Sequence, residues 1–233
     1  MVAARHDHGS VRLEGAHALK HALRFGADVE VVATDDLEGL LAMLTALAPD
    51  VVETVAARAV ELEPVRWHQL VPRALPSPAV AVARRPVVSV EQVLAAPGRC
   101  LVLDRPRHLG NLGAAIRVAA AAAAGGVLVL GTADPWHPTA VRAAAGLQFA
   151  VPTVRVEDLP ATTRPLIALD PIGRPLHEHP LPPDAVLLVG TERGGLDARL
   201  RARADDRRSI QMRDGVSSLN LATAVAVALY ADR

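Results

Sequence analysis

Apolar and polar stretches follow one another in blocks, and the blocks predict strands and helices in alternation. Residues 15–25 read as a helix stopped by Gly26. Residues 29–33 read as a strand, and Asp35 or Asp36 caps a helix that runs to Ala48 and ends at Pro49. A second short helix–strand repeat covers 51–60. Pro72, Pro76 and Pro78 then break the chain before a strand at 79–83. Residues 1–10 carry no pattern and read as a frayed or tag-like start. Ser89 and Gln92 form a possible capping box on a short linker helix. Beyond it come a strand at 100–103, a helix at 112–124, a strand at 127–130 and a helix at 139–145. Further strands are predicted at 153–156, 166–169 and 185–189. These strands are continuous apolar runs, the pattern of a parallel sheet with helices on both faces. The expected organisation is a small α/β domain over 1–85, a linker over 86–98 and a second α/β domain over 99–233.

The last predicted helix is the most informative element. A short apolar piece runs into Asp214-Gly215, which is turn chemistry. Ser217 and Ser218 both qualify as N-caps for a run of helix formers that extends to Tyr230. The helix is apolar nearly all round, which predicts burial. Asn220 stands in its first turn, where unpaired N–H groups and a partial positive charge can hold a polar ligand. A capped core helix that happens to carry an asparagine fits the same residues.

Composition narrows the classes. Half the residues are apolar but only 2% are aromatic, so the core is built from Ala, Val and Leu. The formal net charge is zero, so the chain as a whole is not a basic nucleic-acid binder. Residues 1–85 hold nine Lys and Arg against eleven Asp and Glu. Between 193 and 213, however, Arg193, Arg199, Arg201, Arg203, Arg207, Arg208 and Arg213 face only Asp197, Asp205 and Asp206. That segment reads as a solvated helix face or as a track for phosphates, which arginine binds bidentately. Cys100 is the single cysteine, so neither a disulfide within the chain nor a thiolate zinc site is possible, as suits a reducing compartment. His177-x-His179 lacks a third ligand nearby, and no metal is expected. The start has no signal-peptide character, and the longest apolar run, over 118–130, is too short to span a bilayer. A cytoplasmic location and no membrane partner are expected.

In open parallel sheets, ligands sit at the carboxyl ends of strands, which directs attention to the stretch from Asp104 to Arg117. Gly110 and Gly113 there would let the backbone approach a ligand or a neighbouring loop. Arg117 stands in an otherwise apolar helix, where a guanidinium is costly unless paired. Gly190-Thr-Glu-Arg-Gly-Gly195 follows another strand, but it is not the Gly-x-Gly-x-x-Gly dinucleotide fingerprint. An ordinary glycine-rich turn fits it as well.

Three stretches together resemble one family. Asn111-Leu-Gly-Ala-Ala-Ile-Arg117 resembles the first motif of the SpoU (TrmH-type) RNA 2'-O-ribose methyltransferases of the SPOUT superfamily. Leu188-Val-Gly-Thr-Glu-Arg-Gly-Gly-Leu196 resembles their second motif. Ser218-Leu219-Asn220, after Ile210-x-Met212, resembles the third. Thr191 stands where the family usually has Ser, Asn or Ala, and Ala144 where it often has a serine. The resemblance covers 98–233. More loosely, Leu13 to Lys20 resembles the opening of the small ribosomal-protein-like α/β module that precedes many such domains.

The resemblance implies an α/β fold of SPOUT type, a parallel sheet with a C-terminal trefoil knot, preceded by a small α/β RNA-binding domain. It implies S-adenosylmethionine as cofactor, held near Gly190, Thr191, Ile210, Met212 and Leu219. Arg117, Glu192 and Asn220 take the catalytic positions. Asn111 and Ser218 join Arg201, Arg203 and Arg207 as candidate substrate contacts. The implied reaction is methylation of a ribose 2'-hydroxyl by a homodimer, on ribosomal RNA in preference to transfer RNA. A free guanidinium is protonated at ordinary pH. The family's arginine therefore acts either as a strongly perturbed base or by orienting the hydroxyl and phosphate. A catalytically inactive RNA-binding member and a Rossmann-type nucleotide binder are the other classes left open.

Overall fold

A computed structural model describes residues 9–191 and 194–231 of the 233-residue chain. The chain forms two compact units, one of 1–87 with 136–150 and one of 88–135 with 151–233. Residues 88–98, expected to be a linker, thus belong to the second unit, and 136–150, expected in the second domain, belong to the first.

The first unit runs β1 (Ser10–Glu14), α1 (Ala16–Arg24), β2 (Val29–Thr34), α2 (Leu37–Leu47), α3 (Val52–Ala56), β3 (Ala59–Glu61), α4 (Pro64–Leu70) and β4 (Val80–Arg84). Its sheet has the order β1-β4-β2-β3, with β4 antiparallel to both neighbours and β2 parallel to β3. Asp36 is the cap of α2, its side chain accepting from the Gly39 backbone N–H at 2.8 Å. Val11, Leu19, Val32, Leu40 and Leu44 form the main core, and a smaller cluster gathers Leu70, Val71 and Val80 with Trp67.

β1 starts at the end of the segment read as frayed. It carries Arg12, which is buried, and that charge breaks the apolar run. The burial is compensated: Arg12 pairs with Glu14 at 2.9 Å and donates to the Leu70 carbonyl at 3.1 Å. α4 is likewise not among the expected elements, although Pro64 marks its first position.

The second unit contains α5 (Val90–Ala95), β5 (Cys100–Asp104), α6 (Leu109–Ala121) and β6 (Gly126–Leu130). The chain then crosses to the first unit for α7 (Pro138–Ala143) and returns for β7 (Thr153–Val156), β8 (Leu166–Pro175), β9 (Val186–Val189), α8 (Ala198–Ala202), β10 (Asp206–Ser209) and α9 (Leu221–Tyr230). Every strand pair in its six-stranded sheet, ordered β10-β8-β9-β5-β6-β7, is parallel. β5, β6 and β9 are buried along their whole length, as their unbroken apolar sequences require. The capping box on α5 is present, with Ser89 and Gln92 bonding each other's backbone.

β10 is not among the expected strands, because its sequence Asp-Arg-Arg-Ser has no apolar residue. It forms by pairing with β8, first at Ile167 and Ala168 and then, after a register jump, at Arg174 and Pro175. Arg208 is buried there against Asp206 and the His179 carbonyl. Burial, and next the nearby Arg174, push its pKa below the ordinary arginine value.

The crossing segment is fixed firmly in the first unit. Trp136 stacks edge-on against Phe149 at 5.1 Å and under the Arg85 guanidinium at 5.6 Å. Arg142 pairs with Glu14 at 2.9 Å. Gly146, at φ 74°, lies so close to α1 that a Cβ would sit 2.5 Å from the Ala18 carbonyl oxygen.

Among the described residues no helix is long and apolar enough to cross a membrane, and no three metal-ligating side chains cluster.

Candidate active site

In the second unit, β5 and β9 are neighbouring parallel strands, so the loops after them lie on the same side of the sheet. β5 ends on Asp104, a buried carboxylate that accepts from the Asp197 backbone N–H at 2.8 Å. Arg105 follows at φ 45°, a left-handed conformation that costs a non-glycine residue about 1–3 kcal/mol. From there its guanidinium reaches both Asp104 (3.0 Å) and Asp197 (2.9 Å). This contact holds the Asp197 carboxyl below the usual carboxylate range, helped by the Arg199 backbone N–H. The end of β5 is thereby locked to the start of α8. Asp104 is the first charged residue after an apolar strand, and that position was its only signal in the sequence.

After β9 the backbone turns back on itself. Thr191 and Gly195 exchange backbone hydrogen bonds at 3.2 and 2.9 Å. A Cβ on Gly190 would fall 2.1 Å from the Gly195 carbonyl carbon, so only glycine fits. Glu192 and Arg193 lie outside the described residues.

The turn forms one wall of a cavity of about 440 Å³. Residues 169–171 of β8, the turn residues 190, 191 and 194–196, and Arg201 line one part of it. Ile210, Met212 and residues 217–219 line another, with Leu221 and Ala224 of α9. Gly190, Thr191, Ile210, Met212 and Leu219, from two separate motifs, thus share one cavity with Ser218.

α9 begins differently from expectation. Neither Ser217 nor Ser218 caps it; Asn220 does, its side-chain oxygen accepting from the Ala222 N–H at 2.9 Å. That bond fixes the amide, and its nitrogen donates to the Asn111 side chain at 3.1 Å. The starts of α6 and α9 are joined through these two residues, and the helices pack along each other. α9 is also not buried all round, since Val227 and Tyr230 are 39% and 45% exposed.

α6 starts at Leu109, earlier than its sequence suggested, and Gly110 lies within it. Beyond its own helix no atom comes within 4 Å of where a Gly110 Cβ would stand, so no neighbouring loop approaches it closely. Arg117 is exposed rather than set in an apolar environment, and it has no partner among the described residues.

The arginine-rich segment divides into two groups. Arg201 pairs with Asp170 at 3.1 Å and donates to the Leu196 carbonyl at 3.1 Å. Arg203 donates to the carbonyls of Leu159 and Pro160. Arg208 is buried, as described above. Arg199, Arg207 and Arg213 are exposed, and their side chains have no partner among the described residues. Arg203 is therefore held by main-chain carbonyls, and Arg201 stands in the cavity wall, so neither belongs to an open surface track for phosphates. No motif marks Asp170 in the sequence, although like Asp104 it is the first carboxylate after an apolar strand run.

The model of the SpoU rRNA Methylase family matches residues 98–230. A 23S rRNA (guanosine(2553)-2'-O)-methyltransferase of Bacillus subtilis (strain 168) is 34% identical over 149 residues, 60% of this chain and 60% of that protein. A 23S rRNA (uridine(2479)-2'-O)-methyltransferase of Streptomyces viridochromogenes is 33% identical over 170 residues, 66% of this chain and 59% of that protein. The chain thus spans about 60% of the length of these two relatives. The crystal structure of the SpoU methyltransferase AviRb from Streptomyces viridochromogenes, in complex with the cofactor AdoMet, is similar with a TM-score of 0.79 and 26% identity. That similarity covers 98% of this chain and 93% of that one.

Proposed function

Because the chain belongs to the SpoU rRNA methylase family, we propose that it methylates a ribose 2'-hydroxyl of RNA using S-adenosylmethionine, with ribosomal RNA preferred over transfer RNA. The observation that carries the reading is the shared cavity: residues from the second and third motifs line it, and Asn220 ties it to the first motif through Asn111.

The residues present fit the cofactor. A space of about 440 Å³ lies in the range of small-molecule sites. Val189, Ile210 and Leu219 offer apolar surface for a flat base, and Thr191, Ser217 and Arg201 offer polar groups for its ends. When bound, the cofactor supplies an electrophilic methyl group on a sulfonium. The chain's own part is to hold and orient. Arg117 gives charge-assisted hydrogen bonds to the ribose hydroxyl and its phosphate. Asn220 fixes the position of Asn111 beside the same helix start. Glu192 is assigned a positioning role from its place in the second motif. Orientation of this kind can supply a large share of a rate enhancement.

We read the C-terminal segment as the family's trefoil knot. Its support is that β10 runs beside β8 before the chain returns to set Asn220 against Asn111. The exposed Val227 and Tyr230 on α9 support a homodimer. Arg199, Arg207 and Arg213 are the favoured phosphate contacts. The first unit, with Arg66 and Arg73 exposed and without side-chain partners among the described residues, is read as the RNA-capturing module.

The test is Arg117→Ala, assayed for transfer of labelled methyl groups to RNA and for cofactor binding by calorimetry. Binding within about threefold of wild type with transfer lost is expected. Transfer within tenfold of wild type refutes the assignment of Arg117. Wild-type protein that binds no S-adenosylmethionine refutes the enzymatic reading.

A further inference from the structure

Arg201 is the unusual member of the arginine-rich segment. Among the other described arginines there, Arg199, Arg207 and Arg213 are exposed, Arg203 binds main-chain carbonyls and Arg208 is buried on Asp206 and the His179 carbonyl, whereas Arg201 lines the wall of the cavity. Asp170 meets it there. That carboxylate is buried, and its Oδ1 is held by the Ile172 backbone N–H at 3.1 Å. Its Oδ2 lies 3.1 Å from Arg201 Nε, yet the two atoms are not aligned for a hydrogen bond. Leu196 O accepts from Nη2 at 3.1 Å. The guanidinium is therefore braced on one edge by a charge and on another by the turn after β9. A guanidinium has five N–H donors, and these contacts leave several of them without an acceptor among the described residues.

The lining is otherwise short of charge. Among its described residues Arg201 is the only cation, and Asp170 the only anion. Asp170 reaches the cavity with almost no exposed surface (6% of its side chain), whereas the Arg201 side chain is 38% exposed. A ligand entering here meets the cation and not the carboxylate. On the reading that S-adenosylmethionine occupies this cavity, its amino-acid end brings a carboxylate that needs a partner in a confined and partly apolar space.

We propose that Arg201, held in place by Asp170 and the Leu196 carbonyl, binds the carboxylate of the cofactor's amino-acid end and so selects amino-acid-bearing adenosyl sulfonium ligands over those lacking the carboxylate. Asp170 is a positioning residue in this scheme: it touches no ligand and limits the rotamers of Arg201. The inference depends on the cofactor assignment, and its test separates the two.

Full-length protein is titrated calorimetrically with three ligands: S-adenosylmethionine, its decarboxylated analogue and 5'-methylthioadenosine. Wild type is expected to bind S-adenosylmethionine at least tenfold more tightly than the decarboxylated form. In Arg201→Gln that preference falls to within twofold, through weaker binding of S-adenosylmethionine and unchanged binding of the analogue. Asp170→Asn is expected to reduce the preference without abolishing it. Wild-type protein that binds both sulfonium ligands equally overturns the inference and leaves the cofactor assignment standing; that comparison needs no variant to fold. Equal weakening of all three ligands by Arg201→Gln also overturns it, by showing a merely structural role. Failure of wild type to bind any of the three overturns the cofactor assignment and the inference together.

Discussion

Replacing Gly190 by alanine tests how the cavity is built. The added Cβ would stand 2.1 Å from the Gly195 carbonyl carbon and 2.2 Å from the Leu196 nitrogen, where ordinary contact begins near 3.4 Å. All of these neighbours are main chain, so no side chain can swing aside. The turn must instead open by more than about 1 Å, a displacement of the overpacking kind. Opening separates Thr191 from Gly195 and removes both of their backbone hydrogen bonds. At about 0.5–1.5 kcal/mol for each bond, the loss is about 1–3 kcal/mol. Each kcal/mol lowers the melting temperature of a chain this long by about 2–4 °C, so a fall of roughly 2–12 °C is expected. Because the same turn lines the cavity, affinity for S-adenosylmethionine should drop at least tenfold. Thermal unfolding and calorimetric titration measure the two effects. Gly110→Ala is the control: that glycine is helical and exposed with open space around it, so alanine there should be neutral or mildly stabilising. A Gly190→Ala protein that melts within 1 °C of wild type and binds the cofactor normally would refute the reasoning.

Asn220→Ala should destabilise the protein to urea by about 1 kcal/mol through loss of the α9 cap. Asn220→Asp keeps the acceptor and loses only the donation to Asn111, so it should be the more stable of the two; the reverse order would disprove the capping role. Burial pushes the Cys100 thiol up despite the neighbouring Arg164, so the folded chain resists ionisation. Stability should therefore fall as pH rises above the ordinary thiol range, where only the unfolded chain ionises. A thiol reagent at pH 8 should react after unfolding and not before; prompt reaction of the native protein would contradict this. Replacing Arg199, Arg207 and Arg213 together by Gln should weaken RNA binding and flatten its salt dependence by up to roughly three units of log–log slope. An unchanged slope would leave those side chains as a solvated face.

The parts of the fold that were legible are those where apolar runs carry the structure. β5, β6 and β9 are in place because their unbroken apolar residues have no alternative to a doubly covered sheet. What escaped was structure made by polar residues. β1 depends on a buried Arg12 whose partner is two residues away, and β10 has no apolar residue and exists only through pairing with β8. The cavity-lining residues could be named because motif spacing survives in a sequence. The separate roles of Arg201, Arg203 and Arg208 could not, because each is set by an acceptor distant in the fold or the chain: Asp170 for Arg201, the Leu159 carbonyl for Arg203 and the His179 carbonyl for Arg208.

The crossing of residues 136–150 into the first unit constrains the order in which the protein can be made. A nascent chain that has emerged only as far as residue 100 holds all four strands of the first sheet, yet it lacks Trp136, Val141 and Phe149, which complete the core of that unit. The usual sequence, in which an N-terminal unit folds before its successor is synthesised, is not available here. Chains arrested near residue 100 are expected to stay open to protease across 10–87, and chains arrested well beyond residue 150 to resist it. The first unit thus waits on the ribosome for a piece encoded after β6, and the two units mature as a coupled pair in time.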